Sequence, residues 1–361
     1  MTLPRPLRRL VLRGDAHARG AAHGAAFAAE IRRYTDERVH LAAAGTWSGR
    51  KASLDEVLDL AARMLPAHHA YAPDLHQEML ALADAAGITP AEALIVGGFT
   101  DFVDAVRALL APAPEEDDCT ALLVPPARGG PWFAQTWDMH DSATAHVVLL
   151  DLQPDDAPAA LVFTTVGCLG QIGMNEHGLA VGINNLSAAD GRVGVTWPSV
   201  VREALRQPAL SAARDAVLRA HLAGGHNYLL LDAAGDGCNI EAMPTHAALT
   251  PLSESPLVHT NHCLDPACLE RQAEKAPQLL DSSLRRHEVA LRLLADHGVI
   301  DHAALVDLLR EPAAICQVAA PPYHIETSGA VIARPDTREL WAVWGSPRAG
   351  EFERFTVHRH D

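Results

Sequence analysis

The chain has 361 residues, of which 48% are hydrophobic and 20% charged, a globular composition that excludes a disordered or fibrous protein. A formal charge of −16 excludes a non-specific nucleic-acid binder, because phosphate contacts need a basic surface. No apolar run approaches the roughly 20 residues of a bilayer span, and the arginine-rich start lacks the apolar stretch of a secretory signal, so no membrane partner is expected.

From residue 16 to 111 Ala, Leu, Glu and Arg dominate, and the spacing predicts helices over 20–41, 53–64, 74–86 and 90–110. Ser53 followed by Glu56 has the capping-box pattern, Gly87 fits a helix C-cap, and Thr89-Pro90 fits the next helix start. A proline-rich, acidic stretch then runs over 111–118 and is expected to be exposed and poorly packed. Beyond it the pattern changes to short β-type runs, at 120–124, 132–137, 147–152, 160–165, 179–184, 227–232 and 239–243. Helices are expected at 197–206, 211–223, 270–297 and 301–310, with a closing hairpin at 328–334 and 339–344. Antiparallel strands flanked by helices predict an α+β layered fold rather than a doubly wound sheet. The six cysteines (Cys119, Cys168, Cys238, Cys263, Cys268 and Cys316) show no disulfide-framework spacing, so a reduced, soluble, cytoplasmic protein is expected.

The most informative stretch runs from Asp118-Cys119-Thr120 to Trp137-Asp138. Two strand-like runs flank Ala127-Arg128-Gly129-Gly130, a turn signal, and a hairpin centred between Arg128 and Gly129 puts Cys119 opposite Asp138. Side chains so opposed stand about 4.5–5.5 Å apart at Cβ, so the thiol is expected to face a carboxylate. A cysteine freed at its own N-terminus carries an α-amine whose ordinary pKa near 8 suits it as base for the thiol. The carboxylate would orient that amine. To become N-terminal, Cys119 must cut the chain at Asp118, beside the linker where a cut is best accommodated.

Further motifs follow in an order that resembles one family. They are Ala18-Arg19-Gly20 through His23-Gly24, Pro73 through Glu78 to Gly87, and Asp118-Cys119-Thr120 with Trp137-Asp138. Then come Gly170 through Asn175 to Asn184-Asn185-Leu186, His259-Thr260-Asn261-His262, and Gly329 to Gly345-Ser346-Pro347. This series, spread over most of the chain, resembles the acyl-coenzyme A:6-aminopenicillanic acid acyltransferases, members of the N-terminal-nucleophile (Ntn) hydrolases. Asp118 is a departure, since glycine is common before the nucleophile in that family.

The resemblance implies an αββα four-layer sandwich with an N-terminal helical segment. It implies a precursor cut into chains 1–118 and 119–361 that stay together as a heterodimer, with further self-association open. It implies Cys119 as nucleophile, Asp138 as its positioning partner and Asn261 as an oxyanion donor. Asn184 and Asn185, after a strand, are candidates for the same pocket, and a late arginine is expected at Arg334 or Arg338. The reaction expected is amide hydrolysis or acyl transfer through a Cys119 thioester, on a small acyl amide or acyl thioester, with no metal or organic cofactor. Water as acceptor gives an amidase and an amine gives an acyltransferase. Whether coenzyme A takes part is open.

Three other readings stand beside it. His259, His262, Cys263 and Cys268 have the residue types of a zinc site, without paired ligand spacing. A papain-like hydrolase would activate Cys119, Cys168 or Cys263 with a histidine and need no cleavage. A non-catalytic binding protein could keep the same fold, with Trp132, Trp137 and Trp197 as core or ligand-wall residues.

Overall fold

A computed structural model describes residues 5–45, 51–110 and 118–358. The chain opens with β1 (Arg9–Gly14) and continues through α1 (Ala16–Ala26), α2 (Ala28–Ala44), α3 (Leu54–Tyr71), α4 (Pro73–Ala86), α5 (Pro90–Gly97) and α6 (Phe99–Leu110). Ser53 and Glu56 form the expected capping box, and α4 ends on Gly87 in the left-handed conformation (φ 73°). The helix expected over 20–41 is two helices that break at Phe27, and the one over 90–110 breaks at Gly98. Of the acidic stretch 111–118, only Asp118 is among the described residues, where it begins β2.

The strands that follow are β2 (Asp118–Val124), β3 (Trp132–His140), β4 (Val147–Pro154), β5 (Ala160–Thr165), β6 (Ile172–Asn175) and β7 (Ala180–Asn185). Helices α7 (Trp197–Leu205) and α8 (Leu210–Leu218) precede β8 (His226–Leu231), β9 (Gly237–Met243), β10 (His246–Pro251) and β11 (Leu257–His259). The chain closes with α9 (Pro266–Leu269), α10 (Pro277–Asp296), α11 (His302–Leu309), β12 (Ile325–Arg334), β13 (Glu339–Trp344) and β14 (Glu353–Thr356).

These strands form an eight-stranded sheet, β1-β4-β5-β6-β7-β8-β9-β10, and a six-stranded sheet, β11-β2-β3-β12-β13-β14. Side-chain alternation assigns the layers. On β2 and β3, Cys119, Ala121, Leu123, Phe133 and Trp137 belong to the main core shared with the eight-stranded sheet. Leu122, Val124, Trp132 and Ala134 belong instead to a second cluster with Val289 and Leu294 of α10 and Leu305 and Leu308 of α11. Helices α7 and α8 lie against β6 to β9 of the other sheet. The result is the expected α+β sandwich of helix, sheet, sheet and helix. The parallel strand β1 joins the edge of the eight-stranded sheet through β4, so the segment before Cys119 is built into the sheet itself.

Candidate active site

Cys119 is the second residue of β2, 1% exposed, on the face that looks toward the eight-stranded sheet. Its cross-strand partner is Trp137, and Asp138 lies opposite Asp118. This corrects the expected pairing of Cys119 with Asp138 by one residue. Pro125 and Pro126 begin a 3-10 turn, closed by Arg128 N donating to Pro125 O and Gly129 N to Pro126 O. That turn centres the hairpin on Arg128, and a slip of one residue moves each side chain to the other face of the sheet. The Asp138 carboxylate therefore shares the face of Thr120 and Thr136, and Thr136 Oγ1 donates to Asp138 Oδ2 at 3.4 Å. What the Cys119 thiol meets is the Asp138 backbone carbonyl, with Sγ to O at 3.8 Å.

The Cys119 backbone is held from three sides. Its N–H donates to Asn261 Oδ1 at 2.6 Å. Its carbonyl accepts from Arg286 Nη1 at 2.5 Å and from Asn184 Nδ2 at 3.3 Å. Arg286 also donates through Nη2 to Asn261 Oδ1 at 3.1 Å and through Nη1 to Thr120 Oγ1 at 3.2 Å. Asn261 Nδ2 donates to Asn185 O at 3.1 Å, and Asn227 Nδ2 donates to Asn184 Oδ1 at 3.2 Å. Asn184, Asn185, Asn227, Asn261 and Arg286 are all fully buried. Asn185 Nδ2 is a buried donor with no hydrogen-bond partner.

Each of these side chains is fixed by its surroundings. Asn261 follows β11 in a loop pinned by Glu241 of β9, which accepts from His259 Nε2 at 2.8 Å, Leu264 N at 2.7 Å and Asp265 N at 3.0 Å. Burial would raise the Glu241 carboxyl, but His259 and these two N–H donors outweigh it and hold the group below the usual carboxylate range. Ser283 of α10 ties the same loop down, its Oγ accepting from Asn261 N at 2.9 Å, and the next turn of that helix delivers Arg286. Asn184 and Asn185 are carried by β7, which Gln135 of β3 clamps across the sheet interface: its Nε2 donates to Ile183 O, and its Oε1 accepts from Ile183 N at 3.0 Å.

Sequence reasoning singled out Cys119, Asn184, Asn185 and Asn261, and the fold gathers them. It missed Arg286, one arginine among several on an amphipathic helix, and Gln135, whose partner lies on another sheet. The late-arginine expectation is corrected. Arg334 pairs with Asp336 and lies 4.8 Å over the Trp132 ring, while Arg338 occupies the tight turn between β12 and β13 with φ 57°. The zinc grouping is not assembled either. His259 uses both ring nitrogens on Glu241 and Thr260 O, and His262 Nδ1 faces Ser283 Oγ at 2.8 Å. Burial, aided by His259, His287 and Arg286, pulls His262 down to about 4, so it is neutral at pH 7. Among the described residues only His246, Asp265 and Cys268 come within metal-sharing distance, and the Asp265 carboxylate already caps α9. All six cysteines are free. No single helix among the described residues is long and apolar enough to cross a membrane.

Comparison with known proteins gives three findings. A family profile described as acyl-coenzyme A:6-aminopenicillanic acid acyl-transferase matches residues 127–349. A curated relative, the 40 kDa form of acyl-coenzyme A:6-aminopenicillanic-acid-acyltransferase from Emericella nidulans, is 22% identical over 194 residues, covering 53% of this chain and 52% of the relative. The match thus spans about half the length of that relative. Among solved structures, the Caenorhabditis elegans ortholog of N-acylethanolamine-hydrolyzing acid amidase is 14% identical, with a TM-score of 0.44 over 60% of this chain and 93% of that one. A mutant of the conjugated bile acid hydrolase of Clostridium perfringens is 11% identical, with a TM-score of 0.45 over 67% and 99%.

Proposed function

Because the chain belongs to the acyl-coenzyme A:6-aminopenicillanic acid acyl-transferase family, we propose that it is a self-processing amidohydrolase or acyltransferase that works through Cys119. The observation that carries this reading is the 2.6 Å bond from Cys119 N to Asn261 Oδ1, a buried acceptor placed where a freed α-amine would need one.

Processing begins when Sγ attacks the Asp118 carbonyl carbon. The C–S bond forms as the C–N bond to Cys119 breaks, and the thiol proton passes to the nitrogen. Water then hydrolyses the thioester, leaving an Asp118 carboxylate and a free Cys119 with its amine and thiol. In turnover the amine takes the Sγ proton as sulfur adds to the substrate carbonyl, then passes it to the leaving amine. Water or a second amine resolves the acyl-enzyme. The histidines of the 259–262 loop are committed to Glu241, Thr260 and Ser283, which favours the amine over a histidine as base.

In this scheme Asn261 holds the amine through Oδ1, a role different from the oxyanion contact that the family resemblance implies. Asn184, on the thiol-facing side of β7 with its Nδ2 at 3.3 Å from the Cys119 carbonyl, is then the oxyanion donor. Arg286, bonded to the same Asn261 oxygen, disfavours a protonated amine and so keeps it unprotonated, able to accept the thiol proton, near neutral pH. Asp138, whose backbone carbonyl faces Sγ, acts as the positioning partner. Substrates are small acyl amides or acyl thioesters, the chemistry needs no metal or organic cofactor, and the six free thiols suit a reducing cytoplasm. The cut would leave chains 1–118 and 119–361 as a heterodimer.

A denaturing mass spectrum of purified protein tests this. Two species are expected, the second beginning Cys119-Thr120-Ala121, while Cys119→Ala stays intact and inactive. Full activity from an uncut wild-type chain would refute the amine mechanism.

A further inference from the structure

Beside the Cys119 network lies a narrow cavity of about 20 Å³ where α2, α6, β3 and α7 meet. Phe99, Trp137, Met139, Ile183 and Trp197 make its walls apolar. Trp137, the cross-strand partner of Cys119, forms one wall, so a single side chain separates the cavity from the strand position of the thiol.

Two buried polar side chains on this lining are incompletely satisfied. Arg38 of α2 is 1% exposed at its side chain, yet its Nε has no hydrogen-bond partner. Its Nη2 reaches Ser142 Oγ at 3.4 Å and Glu37 Oε1 only at 3.7 Å. Glu37 is itself about a third exposed and takes the Ser142 hydroxyl. Two aromatic rings also lie against the cation, with the guanidinium carbon 4.7 Å from the Tyr34 ring centre and 5.1 Å from that of Phe99. Gln171 Oε1 is also without a partner. A guanidinium withdrawn from water with one N–H edge unspent is costly unless an anion completes it.

We infer that Arg38 reads a negatively charged end on the acyl group, so that the acyl part of the substrate is that of a short dicarboxylic acid. This rests on the reading of Cys119 as nucleophile. The far carboxylate sits on the Nε edge of Arg38, with its carbon stem between Trp137 and Trp197. Gln171, its amide turned over, donates to the same anion. The cavity as it stands holds about one water, so entry requires the unbranched Met139 and Gln171 side chains to swing aside, which limits the acyl chain to a few carbons.

The test compares glutaryl and pentanoyl p-nitroanilides, which share a leaving group and differ at the acyl end. Processed wild-type protein is expected to favour the glutaryl compound by about 10–100-fold in kcat/KM, the range for a charge-assisted contact. Arg38→Met should bring that ratio to about one, and Arg38→Lys should fall between. A wild-type ratio of one or less, or a preference that survives in Arg38→Met, would overturn the assignment. If neither anilide is hydrolysed, the amidase reading fails separately, and melting temperatures decide Arg38. Glutarate, and not pentanoate, should then stabilise processed wild-type protein and leave Arg38→Met unmoved. Equal shifts in both proteins, or none, would refute the site.

Discussion

Glu78 offers the sharpest stability test, because one fully buried carboxylate joins an element before Cys119 to one after it. On α4, its Oε2 accepts from Arg19 Nε at 3.1 Å and from Arg202 Nη2 at 3.0 Å, and its Oε1 accepts from Arg202 Nη1 at 2.8 Å. All three side chains are at most 4% exposed. Removing the charge with Glu78→Gln leaves Arg202 buried and Arg19 with only the part-exposed Asp156 at 3.3 Å, and breaking such a buried pair costs about 3–5 kcal/mol. Asp74 of α4 also pairs with Arg206, just past α7, at 2.9 Å, but Asp74 is half-exposed, so Asp74→Ala should cost less than about 1 kcal/mol. Urea unfolding followed by tryptophan fluorescence measures both. Burial alone would raise the Glu78 carboxyl, but Arg202 and Arg19 outweigh it and hold the group below its ordinary value of 4.5. Its contribution is therefore complete above pH 4.5 and fades as the pH falls through the lower folded value. The gap between wild type and Glu78→Gln should accordingly narrow in acid. A loss below about 1 kcal/mol at pH 7, or a gap that stays constant on acidification, would refute the reasoning.

Other expectations are as direct. Asn184→Ala should lower kcat by about 10²–10³, as loss of an oxyanion donor does; an unchanged kcat would remove Asn184 from that role. Gln135→Leu strips Ile183 N–H and C=O of their buried partner and should cost about 1–3 kcal/mol in urea unfolding. At Gly182, an added methyl would come within 2.3 Å of the Phe133 ring and 2.5 Å of Gln135 Oε1, so Gly182→Ala should destabilise by about 1–3 kcal/mol on the same assay. Burial pushes the Cys168 and Cys238 thiols up to about 11, so iodoacetamide at pH 8 should spare both in the native protein and label them in urea, as peptide mapping would show.

The hairpin was legible in the sequence because strand alternation and the Gly129-Gly130 turn are local signals. Its register was not, because Pro125-Pro126 build a turn with an odd number of residues between Val124 and Trp132, and loop count decides pairing. Helix breaks at Phe27 and Gly98 were hidden in continuous helical composition. Strands β1, β6, β10, β11 and β14 went unseen for a different reason. All but β6 lie at sheet edges, and β6 is an interior strand of only four residues, so in each case neighbours from elsewhere in the fold make the strand. Asn184 and Asn261 could be proposed from motif order, yet Arg286 and Glu241 act through the folded chain alone. Nothing near them in sequence separates them from an ordinary helix arginine or strand glutamate.

Strand β1 matters for any attempt to make the segment from Cys119 onward by itself. It runs parallel to β4 from Arg9 opposite Leu149 to Gly14 opposite Pro154. A polypeptide started at codon 119 would leave the β4 edge uncovered, with Val148, Leu149 and Leu150 beside a row of unpaired amides. Such an edge is a template for adding strands from other molecules, so that product should be recovered as aggregate. Supplied alongside it as a separate peptide, residues 1–118 would shield that edge by completing the sheet.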